Sequence, residues 1–178
     1  MRLFTAIDIP AEVQRNLRGL LDRLRPAAKI AWSTVEKLHV TTKFIGEWPE
    51  NRLEEMKGTL QQVCSPSTIE ITVRGLGWFP DARNPRVFWA GVESGPELAM
   101  LAHATESAVE KIGVPVEQRK YSPHLTLARI RDRVPLGALR SALEALPSVD
   151  FGSFQVPAFY LYLSSGGKYT KLAEFVLT

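Results

Sequence analysis

The tripeptide His39-Val40-Thr41 occurs a second time as His124-Leu125-Thr126, and this recurrence constrains the chain more than any other feature. In an extended strand side chains alternate between faces, so a histidine and a threonine two residues apart project the same way. Each copy therefore offers an imidazole and a hydroxyl side by side. Two such pairs facing each other would hold an anionic centre between two proton-transfer groups. With three histidines and 11 threonines in 178 residues, chance would place threonine at +2 of two histidines about 1% of the time, a frequency to weigh against the false positives of any short motif.

The rest of the chain repeats around these copies. Arg2–Ile9 reads as a strand, and Pro10 suits the first turn of a helix over Ala11–Leu24 with Val13, Leu17, Leu20, Leu21 and Leu24 on one face. Ser33-Thr34-Val35-Glu36 has capping-box spacing and predicts a single turn. Leu38–Ile45 is the first histidine strand, followed by a helix near Asn51–Val63 and an alternating strand carrying Ile69, Ile71 and Val73. The glycines and prolines of Gly75–Pro85 predict a loop. The pattern then restarts: a strand over Arg86–Val92, a helix over Glu97–Ile112, the strand His124–Ile130, a helix over Pro135–Leu146 and a strand over Phe154–Ser164. A turn at Ser165-Gly166-Gly167-Lys168 leads into a closing strand, Tyr169–Leu177. Arg2 to Arg86 spans 84 positions and His39 to His124 spans 85, so 2–75 and 86–164 form a repeat of pattern within one domain, 1–178. The expectation is an α+β fold of two pseudo-symmetric lobes, mostly antiparallel sheet with helices outside, and a central cleft between the histidine strands.

Charge and composition set outer bounds. The net charge of +3 leans mildly toward anionic partners. A single cysteine, Cys64, excludes an intrachain disulfide and fits a reducing compartment. No signal-peptide pattern opens the sequence and no run of 18 apolar residues could cross a membrane, so a cytoplasmic location is expected. No His-x-x-x-His, Cys-x-x-Cys or Asp-x-Asp cluster suggests a metal site, and no glycine-rich phosphate loop precedes a helix. No metal and no cofactor are expected.

The motifs resemble those of the two-histidine phosphoesterase superfamily, and within it the RNA 2′,3′-cyclic phosphodiesterases once called 2′-5′ RNA ligases. The resemblance rests on His39-Val40-Thr41-Thr42-Lys43-Phe44-Ile45-Gly46-Glu47 and Pro123-His124-Leu125-Thr126-Leu127-Ala128-Arg129. It extends to Leu3-Phe4-Thr5-Ala6-Ile7-Asp8-Ile9-Pro10, to Phe79-Pro80 with Pro85-Arg86-Val87-Phe88-Trp89-Ala90-Gly91, and to Leu161-Tyr162-Leu163-Ser164 with Tyr169. Thr42 departs from it, since the family usually has an apolar residue there. Position 42 should point away from His39, so an effect on packing rather than chemistry is expected.

Opening a 2′,3′-cyclic phosphate needs water activated on one side of phosphorus and the leaving ribose oxygen protonated on the other. Imidazole serves either role near neutral pH. The resemblance implies a 2′-phosphomonoester product, His39 as general acid and His124 as general base, with weak reverse ligation at 2′-5′ linkages. The hydroxyls of Thr41 and Thr126 would bind the non-bridging oxygens. The family also places an aromatic and an arginine, here Phe44 and Arg129, around the terminal base. Both lie five residues past their histidine, and strict alternation would send them to the opposite face. Either a bulge or a strand end intervenes, or Phe44 is core. His103, lacking a +2 threonine, reads as a surface residue. Trp32, Trp78 and Trp89 read as packing, Lys120 and Tyr169 as surface or ordinary sheet packing, and Tyr121 as a residue that could line the cleft. The partner expected is an RNA end or oligonucleotide with a 2′,3′-cyclic phosphate, acted on by a monomer. A small-nucleotide cyclic phosphodiesterase and a non-catalytic RNA-binding module are the competing functions, although a pure binder would not need two titrating imidazoles.

Overall fold

The structure is a computed structural model that describes residues 1–66 and 68–177. Its strands are β1 (Arg2–Asp8), β2 (Ala31–Trp32), β3 (His39–Glu47), β4 (Glu70–Phe79), β5 (Val87–Ser94), β6 (His124–Arg129), β7 (Asp150–Gln155), β8 (Ala158–Ser165) and β9 (Lys168–Val176). The α-helices are α1 (Ala11–Leu24), α2 (Leu53–Gln61), α3 (Pro96–Glu110) and α4 (Gly137–Glu144). They build two sheets of order β3-β1-β8-β9 and β2-β6-β5-β4-β7, in which every pairing is antiparallel. The α+β, two-sheet architecture expected from the sequence is the one observed.

The connectivity has a feature that the repeat did not announce. The fourth strand of each half leaves its own sheet: β4 pairs with β5 of the second half, and β8 pairs with β1 of the first. Each sheet thus reads histidine strand, opening strand, then the exchanged strand. The two halves are bound by backbone ladders as well as side-chain packing. Helices follow the same logic, with α3 packed on β3 and α1 on β7. The apolar stripe of α1 is buried as its 3.6-residue spacing requires, with Val13, Leu17, Leu20, Leu21 and Leu24 all inside.

Three expectations are corrected. Gly75–Pro85 is not a loop throughout, because β4 continues to Phe79 against Val87. Gly75, at φ +82°, carries a bulge in the left-handed region. At Gly77 the Trp89 indole lies where a Cβ would stand, so only glycine lets the two strands stay paired. Phe154–Ser164 is two strands, since Pro157 removes a backbone donor and the chain passes from one sheet to the other between β7 and β8. The second helix is split, with a 3-10 turn at Glu50–Arg52 preceding α2. The turn after Ser33 forms as a 3-10 turn at Val35–Lys37 but makes no side-chain cap. Ser33 Oγ instead donates to the Thr126 carbonyl at 2.8 Å, tying this segment to the second histidine strand.

Candidate active site

The two His-x-Thr strands meet between the sheets. β3 runs alongside β6, and the Tyr121 hydroxyl donates to the Thr41 carbonyl at 2.8 Å, bridging the segment before β6 to β3. Burial pushes the Tyr121 hydroxyl pKa upward, so it stays a donor. The imidazoles of His39 and His124 are close enough that a charge on His124 disfavours protonation of His39.

Each imidazole is oriented in the same way. His39 Nδ1 lies 2.7 Å from the Lys37 carbonyl and His124 Nδ1 lies 2.8 Å from the Ser122 carbonyl. A carbonyl can only accept, so Nδ1 carries hydrogen in both rings, and Nε2 of each neutral ring keeps a free lone pair. Burial lowers both pKa values from the ordinary 6.5, and the carbonyl hydrogen bonds partly oppose it. Their charged neighbours differ. Asp8, the register partner of His39 on β1, favours the protonated ring, whereas Arg129 disfavours protonation of His124.

His39 is enclosed by aromatic rings. Phe4 stacks on it at 4.9 Å between centroids, Tyr169 meets it edge-on at 5.2 Å, and Tyr162 lies at 6.4 Å. Strong curl of the first sheet makes this possible, since it brings the β8–β9 turn back until Lys37 Nζ donates to the Gly167 carbonyl. Asp8 is held by the Tyr162 hydroxyl and by Lys171 Nζ, the latter at 2.6 Å. On the other side, Phe79 presents its edge to His124 at 4.9 Å.

The alternation problem at Phe44 and Arg129 is resolved identically in both strands. The β1–β3 register jumps past Thr42, and the β5–β6 register jumps past Leu127. Each jump is a one-residue bulge just after the motif threonine. Two consecutive buried residues follow in each strand, Thr42 and Lys43 or Leu127 and Ala128, and the side chains after them are exposed. Phe44 and Arg129 are thereby returned to the histidine face. Phe44 is 63% exposed and 6.4 Å from Phe4, so it is not core. Thr41 and Thr126 sit partly exposed beside their histidines. Thr42 points inward, where its Oγ1 shares a 2.7 Å hydrogen bond with Thr5 Oγ1, an exchange of polar contacts inside the packing as expected.

Other expected positions fall into place around this centre. His103 is exposed on α3. Trp32 and Trp78 pack on Phe88, Trp89 packs on Phe79, and Lys120 is exposed. Sequence reasoning gave no role to Phe4, Asp8 and Tyr162, and it read Tyr169 as surface or ordinary sheet packing. The available signal was the alternation of Phe4, Ala6 and Asp8, which ends an apolar strand on an acid. Tyr169 had no such signal, because only the curl of the sheet brings it to His39. Lys43 is buried and pairs with Glu106 on α3 at 2.8 Å. Among the described residues, no group of three His, Cys, Asp or Glu side chains is placed to hold a metal, and no helix is long and apolar enough to cross a membrane.

Comparison with known proteins matches this geometry to a family. Residues 10–168 fit the sequence profile of the 2′-5′ RNA ligase superfamily. The chain belongs to that superfamily. Among its relatives, the RNA 2′,3′-cyclic phosphodiesterase of Methanocaldococcus jannaschii is 32% identical over 165 residues, covering 93% of this chain and 92% of that protein. The protein of the same name from Methanothermobacter thermautotrophicus is 30% identical, with 99% of each chain covered. Among solved structures, a Thermus thermophilus protein superimposes with a TM-score of 0.82 at 30% identity, over 99% of this chain and 98% of that one. E. coli LigT complexed with 3′-AMP gives a TM-score of 0.75 at 25% identity, with 99% and 98% covered. This member of the superfamily therefore shares its relatives' fold over essentially its full length.

Proposed function

We propose that this chain hydrolyses the 2′,3′-cyclic phosphate at RNA ends to a 2′-phosphomonoester, acting as one bilobal, monomeric, cytoplasmic domain over residues 1–178. The observation that carries the reading is the pair of imidazoles from a repeated motif, each anchored through Nδ1 with Nε2 free, on strands β3 and β6 that meet between the two sheets. His124 Nε2 accepts a proton from water as its oxygen bonds to phosphorus. His39 Nε2 donates a proton to O3′ as the P–O3′ bond breaks on the opposite side. Their neighbours favour this division, since Asp8 supports a protonated His39 and Arg129 a neutral His124. The Thr41 and Thr126 hydroxyls donate to the non-bridging oxygens, and Phe44 and Arg129 hold the terminal base from the two lobes. The names of the relatives support the substrate class. No metal takes part, and a 5′-hydroxyl that replaces water on the His124 side, losing its proton to Nε2 as the P–O3′ bond breaks, gives weak ligation at 2′-5′ linkages.

The test is to incubate an oligoribonucleotide ending in a 2′,3′-cyclic phosphate with the protein in excess chelator and identify the end produced. A 2′-phosphate is expected. Activity that vanishes in chelator and returns with a divalent ion would replace this mechanism by metal-assisted hydrolysis, and a 3′-phosphate product would mean that O2′, not O3′, leaves.

A further inference from the structure

Phe44 and Tyr169 are the two aromatic side chains left largely exposed among the described residues, at 63% and 41%. Both lie beside the same ring, Phe4, which stacks on His39. Phe44 is accounted for by the terminal base. Tyr169 is not, although a bulky ring on a short hairpin gains nothing in water by standing open. Its surroundings are basic. Lys37 Nζ lies 5.9 Å from its ring centroid, and Lys168, its neighbour in sequence, is exposed at the start of β9. The nearby acid, Asp8, is engaged by Lys171 and Tyr162.

The direction of the reaction says what passes this patch. Attack and departure are in line, with water on the His124 side of phosphorus and the ribose oxygen leaving toward His39. The ribose, and the RNA chain attached to its 5′ oxygen, therefore lie on the side of His39. The surface beyond His39 on that side is the β8–β9 hairpin with Tyr169 and Lys168, joined by Lys37 from the 3-10 turn before β3. We propose that Tyr169, with Lys37 and Lys168, forms a subsite for the nucleotide immediately 5′ of the cyclic-phosphate end, the ring stacking its base and the ammonium groups flanking its phosphate. Such a subsite makes an oligonucleotide a better substrate than a nucleoside 2′,3′-cyclic phosphate, because stacking is available to any base and each lysine meets phosphate charge. The inference rests on the hydrolytic reading above, which places the leaving oxygen at His39.

The experiment measures kcat/KM for a short oligoribonucleotide ending in a 2′,3′-cyclic phosphate and for adenosine 2′,3′-cyclic phosphate, in wild type, Tyr169→Ala, Tyr169→Phe and Lys168→Ala. Wild type is expected to favour the oligonucleotide. Tyr169→Ala should lower the oligonucleotide-to-mononucleotide ratio on the order of tenfold, mostly through KM, and Tyr169→Phe should restore it. Lys168→Ala should lower the ratio severalfold and flatten the salt dependence for the oligonucleotide alone. Equal efficiency on both substrates in wild type, or variants that change both substrates by the same factor, would refute the subsite while leaving the phosphodiesterase intact. Hydrolysis of neither substrate by wild type would instead refute the reading of the site itself.

Discussion

Replacing Phe44 by alanine separates a base-holding ring from a structural one. A fully buried phenylalanine costs about 3–5 kcal/mol when cut to alanine. Phe44 is 63% exposed, so it buries little more than a third of its side chain, and the loss should be about 1–2 kcal/mol. For a domain of this size each kcal/mol moves Tm by roughly 2–4 °C, so a melt should fall by only a few degrees. The effect on substrate should be larger. Stacking of a base on an aromatic ring contributes about 1–3 kcal/mol, which is roughly a five- to hundredfold increase in KM. The ring does not touch the imidazoles directly, its nearest aromatic neighbour being Phe4 at 6.4 Å, so kcat should stay within a few-fold. Steady-state kinetics on a cyclic-phosphate oligonucleotide with a parallel thermal melt decides the matter. A fall in Tm of more than about 10 °C with KM unchanged would show that the bulge after Thr41 does not serve to present this ring.

The remaining expectations are as follows. His39→Ala and His124→Ala should each lower kcat by about 10²–10⁴ while the circular dichroism spectrum is retained, and the double variant should lose little more than either single one; activity within a few-fold of wild type in either single variant would refute the mechanism. Arg129→Ala should raise KM more than it lowers kcat, because base-holding contributes equally to ground and transition states; a pure kcat loss would move Arg129 to the phosphate. The pH profile of kcat/KM should be a bell, with His124 required neutral on the acid limb and His39 required protonated on the alkaline limb. Burial holds both pKa values below 6.5, so the maximum should lie on the acid side of that value, and an optimum at or above about pH 7.5 would contradict it. Lys43→Ala should destabilise the fold by about 3–5 kcal/mol in a denaturant titration, because it leaves Glu106 without its buried partner; a loss below about 1 kcal/mol would show the pair behaves like a surface one.

The candidate chemistry was legible because it is written in types and short spacings. The i, i+2 geometry of a strand is a local property, so two His-x-Thr copies placed imidazole and hydroxyl together before any contact was known. The stripe of α1 was equally local, and its five buried positions followed from helical period alone. The sequence could also say that Phe44 and Arg129 need a bulge or a strand end if they are to share the histidine face, since five is odd, but not whether either exists. That depends on the partner strand: Thr42 and Leu127 are skipped only because β1 and β5 set the register opposite them.

What the sequence determined by itself, then, was the pair of His-x-Thr dyads, the two-fold pattern and the α+β class, all of which depend on neighbours within a few residues. Only the tertiary structure decided the exchange of β4 and β8 between sheets, the continuation of β4 through Gly75 and Gly77, and the arrival of Tyr169 at His39. Each of these is fixed by contacts between residues far apart in the chain. Trp89 over Gly77 keeps two strands paired, and sheet curl brings Gly167 to Lys37 across 130 positions of sequence. Backbone pairing and sheet curvature are collective properties of several strands, and local side-chain patterns encode which face is buried without encoding which strand lies beside it.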